Sequence, residues 1–289
     1  MCAYSEYRQY RAGELSREGY SRWVETRFDE LSALGLNRDR QNLSTRFPAD
    51  DHEFVLNALS ELSRAAVLPG SHYPVDEFEE FARRVHDVID HDNRATFIFP
   101  EEARLLFAIA HQVRPRHTVF LGSYYGYWAV WVLPAVAASG GRITLVDTDP
   151  DVMALAERNV AALGHTGLVD FVVADADEYA HTLRDVDLCL LDAEGPLDAP
   201  DPDQRDKAIY YPHTRAVTPA LGDGALLVAH NVLLRNLTDN AYFAGRIADN
   251  ERQFAKWFAH LDRYYDVHRV LSTSEGVGVY RRSGTPCAG

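Results

Sequence analysis

A stretch of 30 residues, 118–147, constrains the fold more than any other part of the sequence. Residues 119–121 form an apolar run that predicts a buried strand, after which the chain turns and enters a predicted helix. About twenty residues on, a second apolar run at 143–146 ends in an acid, Asp147. This spacing is typical of the first β-α-β unit of a nucleotide-binding sheet, and it places Asp147 where both hydroxyls of a ribose can bind.

The glycine spacing in the turn indicates which nucleotide is bound. Gly122 and Gly126 are separated by Ser123, Tyr124 and Tyr125. A dinucleotide loop usually reads G-x-G-x-x-G and holds a pyrophosphate at a helix N-terminus, whereas this wider loop has no such cradle. We therefore predict S-adenosylmethionine, approached closely by the glycine backbone. The alternative is a doubly wound sheet whose glycines only turn the chain.

Composition argues against several classes of function. The chain has 289 residues and a net charge of −14, which disfavours a nucleic-acid surface. Cys2, Cys189 and Cys287 are far apart and match neither a disulfide framework nor a zinc site. No apolar run reaches transmembrane length, and the N-terminus lacks a signal-peptide core. We expect a cytoplasmic protein that binds neither nucleic acid nor membrane.

Residues 1–95 are predicted to form an N-terminal helical cap. Apolar side chains recur at helical spacing in three segments, the first of which is expected to end at Gly35. Most of these stripes should be ordinary core packing, and the functional alternative is that they form a homodimer or cover the substrate. Residues 96–289 would then form the cofactor-binding domain, which begins with a helix whose first turn holds Pro100.

Five further apolar runs complete a predicted α/β sheet. They lie at 169–173, 188–191, 225–229, 265–271 and 277–281. A glycine turn at 222–224 precedes the third run, and the last two flank a turn at 274–276 that predicts a closing hairpin. The sequence thus predicts a Rossmann-like sheet of seven strands, the last of them antiparallel.

The ligand site is expected at the carboxyl ends of these strands. Residues 195–206 form a loop rich in proline and aspartate, which we expect to cover the acceptor substrate rather than the cofactor. Aromatic residues at or after the strand ends would line a pocket for a flat acceptor, although we expect half of them to be core. They are Tyr124, Tyr125, Tyr127, Trp128, Tyr210, Tyr211, Tyr242 and Phe243.

From about residue 97 to residue 282, the sequence resembles the class I, S-adenosylmethionine-dependent O-methyltransferases of the catechol and caffeoyl-coenzyme A type. The resemblance rests on the segment 98–102, the glycine loop 122–127 and the hairpin 275–279. It implies a ribose-binding acid at Asp147 and an adenine turn at Asp175. The cofactor-binding residues predicted on this basis are Phe99, Gly122, Ser123, Tyr124, Gly126, Tyr127, Trp128, Asp147, Thr148, Asp175, Ala176 and Asp192.

The resemblance also implies a divalent metal, and the sequence departs from the family pattern at that site. The positions of the metal triad are Asp192, His230 and Asn231, where His230 replaces an aspartate. The family's lysine after the fourth strand is displaced, with Lys207 as its candidate. Elsewhere, an acid before the first glycine is Phe120, and a serine that usually holds the cofactor carboxylate is Trp128.

Two mechanisms are consistent with these residues. A metal could bind the acceptor oxygens and lower their pKa, with oxygen ligands suiting Mg²⁺ and the imidazole of His230 favouring Mn²⁺ or Fe²⁺. Alternatively, His230 acts as a metal-free general base. A structural histidine bonded to a neighbouring backbone group is the third possibility. Lys207 could act as a base or orient an oxyanion, although a lysine at a helix start is more often solvated.

We therefore expect an O-methyltransferase for a small acceptor with an aromatic hydroxyl, in specialised metabolism such as antibiotic biosynthesis. Its predicted catalytic residues are Asp192, Lys207 and His230. One alternative is a metal-independent N- or C-methyltransferase for an amino-acid-derived small molecule, with His230 as the base. Another is a binding protein that keeps the fold without turnover.

Overall fold

A computed structural model describes residues 4–12, 14–34, 48, 50–94, 96–237 and 243–284. Four residues named above, Cys2, Gly35, Tyr242 and Cys287, lie outside these ranges. Within them, no helix is both long enough and apolar enough to span a bilayer.

The described residues contain one seven-stranded sheet, as predicted. Its strands are β1 (His117–Leu121), β2 (Arg142–Asp147), β3 (Val169–Val173), β4 (Val186–Leu191), β5 (Leu221–Ala229), β6 (Tyr265–Leu271) and β7 (Val277–Arg282). The strand order is β3-β2-β1-β4-β5-β7-β6, with β1 to β5 parallel and β7 antiparallel to both neighbours. The predicted Rossmann-like fold and its closing hairpin are therefore confirmed.

Helices flank the sheet on both faces because the buried parallel strands must be covered on both sides. They are α1 (Ser5–Arg11), α2 (Arg17–Thr26), α3 (Phe28–Ala33), α4 (Asp51–Arg64), α5 (Val75–Val88), α6 (Pro100–Val113), α7 (Leu133–Ser139), α8 (Pro150–Ala162), α9 (Ala176–Ala180), α10 (Tyr210–Val217), α11 (Ala244–Gln253) and α12 (Ala255–Tyr264). One apolar cluster joins α4, α5, α6 and α7 to one face of the sheet, and a second packs α10 and α12 against the other.

The N-terminal helices divide between two apolar clusters. Tyr10, Tyr20, Val24 and Leu31 of α1 to α3 form a small cluster of their own. In contrast, α4 and α5 share the main cluster with α6. A helical N-terminal region is thus present, while its boundary near residue 95 and its role in a homodimer stay predictions.

Two local elements differ from the sequence prediction. The turn expected at 222–224 lies within β5, whose pairing with β4 shifts register between Val186 and Leu188. The helix expected near Gly126 begins later, as a 3₁₀ turn at Ala129–Val132 that leads into α7. Positive φ angles of 49° at Tyr124 and 75° at Gly126 explain the delay, because both lie outside the right-handed helical region.

The strand order positions the ligand site. Strands β1 and β4 are adjacent, but the chain runs outward from β1 through β2 and β3 before it returns to β4. In open sheets of this kind, a crevice forms at the carboxyl ends of the strands where the order reverses. The predicted site residues at the ends of β1, β2, β4 and β5 therefore meet at one edge.

Candidate active site

A cavity of about 650 Å³ opens at this edge of the sheet, within the roughly 300–1,000 Å³ range of small-molecule sites. Its walls come from the ends of β1 to β5, the loop 195–206 and the segment before α6. The residues that line the cavity include Phe97, Gly122, Tyr124, Asp147, Thr148, Asp175, Ala176, Asp192, Gln204, Lys207, His213, His230 and Asn231.

Asp147 stands at the end of β2, and its carboxylate organises the glycine loop. Oδ2 accepts a hydrogen bond of 2.8 Å from the backbone N–H of Tyr124, and Oδ1 accepts one of 3.1 Å from that of Asp149. A carboxylate oxygen can accept more than one hydrogen bond. Asp147 also lines the cavity, so it can accept from a ligand while it holds the loop.

The glycines of this loop are required by contacts within the protein. Gly122 has a φ of 70°, and a Cβ there would lie 2.5 Å from Cα of Ala193, at the end of β4. At Gly126, a Cβ would lie 3.1 Å from a methyl group of Leu145. Packing within the protein is thus one reason for both glycines. Gly122 also lines the cavity, and its close approach to a ligand stays a prediction.

The turn after β3 forms the next part of the wall. Asp175 caps α9, and its Oδ1 accepts hydrogen bonds from the backbone N–H groups of Asp177, at 2.8 Å, and Glu178, at 3.2 Å. Asp175, Ala176 and, after β2, Thr148 line the cavity. The structure thus places these three predicted cofactor residues on one wall with Asp147.

Five predicted cofactor residues do not line the cavity. Ser123 is buried and contacts Met153, Gly126 packs beneath the loop, and Tyr127 lies against Trp131. The other two are Phe99 and Trp128. These positions follow from the loop's left-handed residues, which turn the chain into the core after Tyr124.

Phe99 and Trp128 pack behind the site. Phe99 is half-buried in an apolar cluster formed with residues of α11 and the segment before it. Trp128 is buried, with its ring centroid 5.1 Å from that of His230 and 5.8 Å from that of Phe120. Trp128 thus forms a wall behind His230, and this packing accounts for the apolar residue at position 120.

The aromatic pocket expected for a flat acceptor is only partly formed. Among the expected residues, Tyr124 lines the cavity, whereas Tyr210 is fully buried and its hydroxyl donates 2.7 Å to the carbonyl of His230. Sequence analysis missed Phe97, which lines the cavity and is 51% exposed. The sequence does offer a clue to its role, because Phe97 directly precedes the segment 98–102, which resembles the family.

At the other end of the cavity, Asp192 stands between two cationic side chains. Lys207 Nζ lies 3.3 Å from Asp192 Oδ1 and donates 3.1 Å to the carbonyl of Ala193. His230 Nδ1 lies 3.3 Å from Asp192 Oδ2, close enough for an ion pair although it makes no hydrogen bond of normal geometry. The structure therefore brings together the three residues predicted to be catalytic.

Glu102 is a fourth member of this cluster and was missed as a functional residue. Its Oε2 lies 3.0 Å from His230 Nε2 and accepts from the backbone N–H of Phe99. Its Oε1 accepts from Thr273 Oγ1 at 2.7 Å and from the N–H of Glu275 at 2.9 Å. The contact joins residues 128 positions apart, so no local signal could show it.

The charges of this cluster follow from their neighbours. Burial alone would lower the pKa of His230, but the carboxylates of Glu102 and Asp192 outweigh burial and raise this pKa to about 10. Burial would raise the pKa of Asp192, yet His230 and Lys207 hold that pKa below its usual value. His230 is therefore an imidazolium at neutral pH and cannot start a reaction as a general base.

Glu101, beside Glu102, is the neutral member of the pair of acids. Burial and the charge of Glu102 raise the pKa of Glu101 to about 8, although its Oε1 accepts hydrogen bonds from the N–H and hydroxyl of Ser274. Two adjacent buried carboxyl groups seldom both ionise. Glu102 is thus the charged partner of His230.

Asn231, the third residue of the expected metal triad, has its side-chain amide bonded to Glu275. It adopts a left-handed φ of 55°, and its side-chain Nδ2 lies 3.3 Å from Oε2 of Glu275. Its backbone carbonyl accepts a hydrogen bond of 3.1 Å from Asn250. Asn231 still lines the cavity, at the end of β5.

The donor set at Asp192 does not fit a divalent metal. His230 lies between two carboxylates as an imidazolium, which has no lone pair for a metal. The ammonium of Lys207 lies against Asp192, where it would repel a cation. Among the residues that the structure describes, no three His, Cys, Asp or Glu side chains are arranged to hold a metal ion. The two cations already balance Asp192 and Glu102.

Contacts at its base, at Asp203 and at Gln204 hold the loop 195–206 in place. Gly195 and Asp206 exchange two backbone hydrogen bonds of 3.0 Å that close its base. Lys256 of α12 pairs with Asp203 at 2.6 Å, and Gln204 donates 2.9 Å to Asp177 of α9. The loop therefore reaches from the Asp192 end of the cavity to the turn after β3. Its predicted position over the acceptor rather than the cofactor stays a prediction.

The chain is similar to known methyltransferases in sequence and in fold. Residues 119–232 match the family model of a methyltransferase domain. The structure of methyltransferase PaMTH1 from Podospora anserina, bound to S-adenosylhomocysteine, is 18% identical and covers 78% of this chain and 95% of its own, with a TM-score of 0.55. No curated protein sequence is significantly similar.

Two further solved structures share the fold. An O-methyltransferase from Bacillus cereus, in complex with S-adenosylhomocysteine, is 14% identical and covers 81% of this chain and 100% of its own, with a TM-score of 0.52. The O-methyltransferase TomG from Streptomyces achromogenes, in complex with S-adenosylmethionine, is 19% identical and covers 72% and 89%, with a TM-score of 0.50. The resemblance inferred from the sequence is thus confirmed for the domain and its fold.

Proposed function

We propose that this chain, which carries a methyltransferase domain in a class I fold, is an S-adenosylmethionine-dependent O-methyltransferase for a small acceptor with an aromatic hydroxyl. One observation carries the proposal. Asp147, at the end of β2, and the Asp192–Lys207 pair, after β4, line the same cavity. A nucleotide-binding acid and a charged pair for an oxygen nucleophile therefore share one site.

The cofactor would lie along the wall formed by β1, β2 and β3. Asp147 would accept hydrogen bonds from the ribose hydroxyls, with Thr148 beside it. Gly122 and Tyr124 would border the amino-acid tail, and Ser123, Gly126 and Tyr127 would support that loop from within. Asp175 and Ala176 would flank the adenine, and Trp128 and Phe99 would back the site without touching the cofactor. Asp192 would lie where cofactor and acceptor meet.

The reaction requires an acceptor oxygen that has lost its proton. S-adenosylmethionine supplies the methyl group when bound, and the new carbon–oxygen bond forms in line as the carbon–sulfur bond breaks. The hydroxyl would lose this proton to solvent, and Asp192, whose own pKa is held low, would orient Lys207 and His230 beside it. Lys207 and the His230 imidazolium would stabilise the negative charge that develops on the oxygen. Fixed alignment in the cavity would supply much of the remaining rate.

The proposed reaction uses no metal ion. The sequence pattern favours metal assistance slightly, but the cations at Asp192 belong to the chain itself. His230 is also not proposed as the base, because its carboxylate partners keep it protonated. The proposed mechanism therefore differs from both mechanisms inferred from the sequence.

The finer parts of the proposal rest on chemistry and on the solved relatives. The O-methyltransferase TomG takes part in tomaymycin synthesis, which supports a role in specialised metabolism. The half-exposed ring of Phe97 at the cavity suits a flat, aromatic acceptor. A homodimer remains part of the proposal, with the helices of residues 1–95 as its interface.

Two measurements test the function. Calorimetry should show that the protein binds S-adenosylhomocysteine, and incubation with methyl-labelled S-adenosylmethionine and a panel of phenols and catechols should give O-methyl products by mass spectrometry and NMR. A product methylated at nitrogen or carbon would favour the amino-acid-derived class of acceptor instead. Absence of binding to S-adenosylhomocysteine would refute the proposal altogether.

A further inference from the structure

A half-buried carboxylate hydrogen-bonds to two side chains of the cavity wall. Asp177 lies on α9, two residues after the cap Asp175, and does not itself line the cavity. Its Oδ1 lies 2.5 Å from Nδ1 of His213, on α10, and its Oδ2 accepts 2.9 Å from Nε2 of Gln204, in the loop. His213 and Gln204 both line the cavity.

The charge of Asp177 fixes what these two side chains can offer a ligand. Burial would raise the pKa of Asp177, but the hydrogen bonds from His213 and Gln204 hold it below the usual value. An ionised carboxylate only accepts hydrogen bonds, so His213 must donate from Nδ1 and Gln204 from its amide nitrogen. The atoms left for the cavity are then Oε1 of Gln204, which is an acceptor, and Nε2 of His213, which accepts when the ring carries a single proton on Nδ1.

We propose that His213 and Gln204, positioned by Asp177, recognise the exocyclic amino group of the cofactor's adenine. Adenine presents an N6 amino group with two hydrogens, and two acceptors match it. A purine with an oxo group at this position would place a third acceptor against them. The inference rests on the proposed function, and it adds a specificity determinant to the adenine wall of Asp175 and Ala176.

The location of the pair supports this assignment. Asp177 is in the helix that begins at the predicted adenine turn, so its partners lie beside that turn rather than beside Asp192. His213 is 4% exposed, which makes an unmatched polar contact there costly. The bond from Gln204 to Asp177 also fixes the end of the loop, so the loop would form part of the cofactor site.

The test compares two ligands that differ at one position of the purine. Calorimetry should be run with S-adenosylhomocysteine and with S-inosylhomocysteine, which carries an oxo group in place of the amino group. The wild type should bind the adenine compound at least tenfold more tightly, because mismatched buried polar groups are costly. His213→Phe and Gln204→Met should each lose about tenfold in affinity for the adenine compound and little for the other.

Asp177→Asn separates positioning from packing. The amide of Asn can also donate, so His213 and Gln204 could turn donors towards the cavity. The difference in affinity between the two ligands should then decrease, although neither lining residue has changed. The control is His268→Phe, which removes an imidazole paired with Asp262 at 3.5 Å and distant from the cavity lining. It should bind both ligands as the wild type does.

The outcomes distinguish this inference from the proposed function. Equal losses for both ligands, or unchanged discrimination in His213→Phe and Gln204→Met with the fold intact by circular dichroism, would overturn the inference and leave the function standing. A wild type that binds neither ligand would overturn the function itself. Since Gln204 is in a surface loop, its variant remains informative if His213→Phe does not fold.

Discussion

The imidazole of His230 lies between two carboxylates, with Nε2 3.0 Å from Glu102 Oε2 and Nδ1 3.3 Å from Asp192 Oδ2. Glu102 comes from the first turn of α6 and Asp192 from the residue after β4. Lys207 adds a second cation beside Asp192. The charges in this cluster are therefore balanced by the chain's own side chains. This charge balance is the basis for the expected metal independence and for the expected effects of changing Glu102 and Lys207.

Activity should not depend on a divalent metal. The donor set at Asp192 already holds an ammonium and an imidazolium, so EDTA should leave turnover unchanged and added Mg²⁺, Mn²⁺ or Fe²⁺ should not raise it. Steady-state assays in EDTA and with each ion measure this. Loss of activity in EDTA that one of these ions restores would show that His230 gives up its proton to a metal.

Glu102→Gln should destabilise the protein and change how stability depends on pH. The pKa of His230 is raised from 6.5 to about 10 in the folded state, so its contribution is complete below pH 6.5 and is lost as pH rises through about 10. Removing one partner of a buried pair costs roughly 3–5 kcal/mol. Urea denaturation from pH 6 to 10 should show that the free energy of unfolding of the variant near pH 7 is lower than that of the wild type. It should also decrease less than that of the wild type as the pH rises to 10.

The neighbouring acid gives a matched control for that experiment. The pKa of Glu101 is raised from 4.5 to about 8, so the folded state binds the extra proton and stability falls as pH rises between these values. Glu101→Gln should remove the loss of stability between pH 4.5 and about 8 and keep the loss of stability above pH 8. The same pH dependence in both variants would contradict the assignment of the high pKa to His230.

Lys207→Met should lower kcat with little effect on cofactor affinity. The ammonium is proposed to stabilise the acceptor oxygen, and removing one such donor typically costs roughly 10²–10³ in rate. Calorimetry should show S-adenosylhomocysteine affinity within a few-fold of wild type. Arg252→Met is the control, because this exposed cation pairs with Asp249 and does not line the cavity. A wild-type kcat in Lys207→Met would exclude this role.

Asp147→Ala should weaken cofactor binding. Charge-assisted hydrogen bonds contribute ~1.5–3 kcal/mol each, so affinity for S-adenosylhomocysteine should fall by about tenfold or more. Asp147→Asn keeps one acceptor oxygen for Tyr124 and should lose less. Asp151→Ala, at an exposed position in the first turn of α8, should bind normally. Unchanged affinity in Asp147→Ala would mean that the ribose binds elsewhere.

The order of apolar runs was enough to predict the sheet. Strands β1 to β5 are parallel, and all except the edge strand β3 are largely buried. Buried parallel strands appear in the sequence as short continuous apolar runs. The acid after β2 and the turn after β3 were likewise visible, because residues that follow a parallel strand come to the ligand edge whatever the details of packing. The local pattern therefore placed Asp147 at the ligand edge, and the family resemblance added the site roles of Asp175 and Asp192.

The partners of these residues depended on contacts between distant segments. Trp128 and Tyr127 follow the glycine loop in sequence, but the left-handed residues of that loop direct them into the core. Glu102 and His230, and likewise Asp177 and His213, meet only because separate helices and strands pack together.

The sequence by itself determined the seven strands, the closing hairpin and the edge at which ligands bind, since these follow from the local apolar pattern and from where parallel strands end. Tertiary structure alone decided the charge state of His230. An isolated imidazole is close to neutral at pH 7, and only the two carboxylates that the fold brings to it raise its pKa to about 10. Desolvation strengthens both interactions, and the resulting cation occupies the position where the sequence pattern predicted a metal ligand.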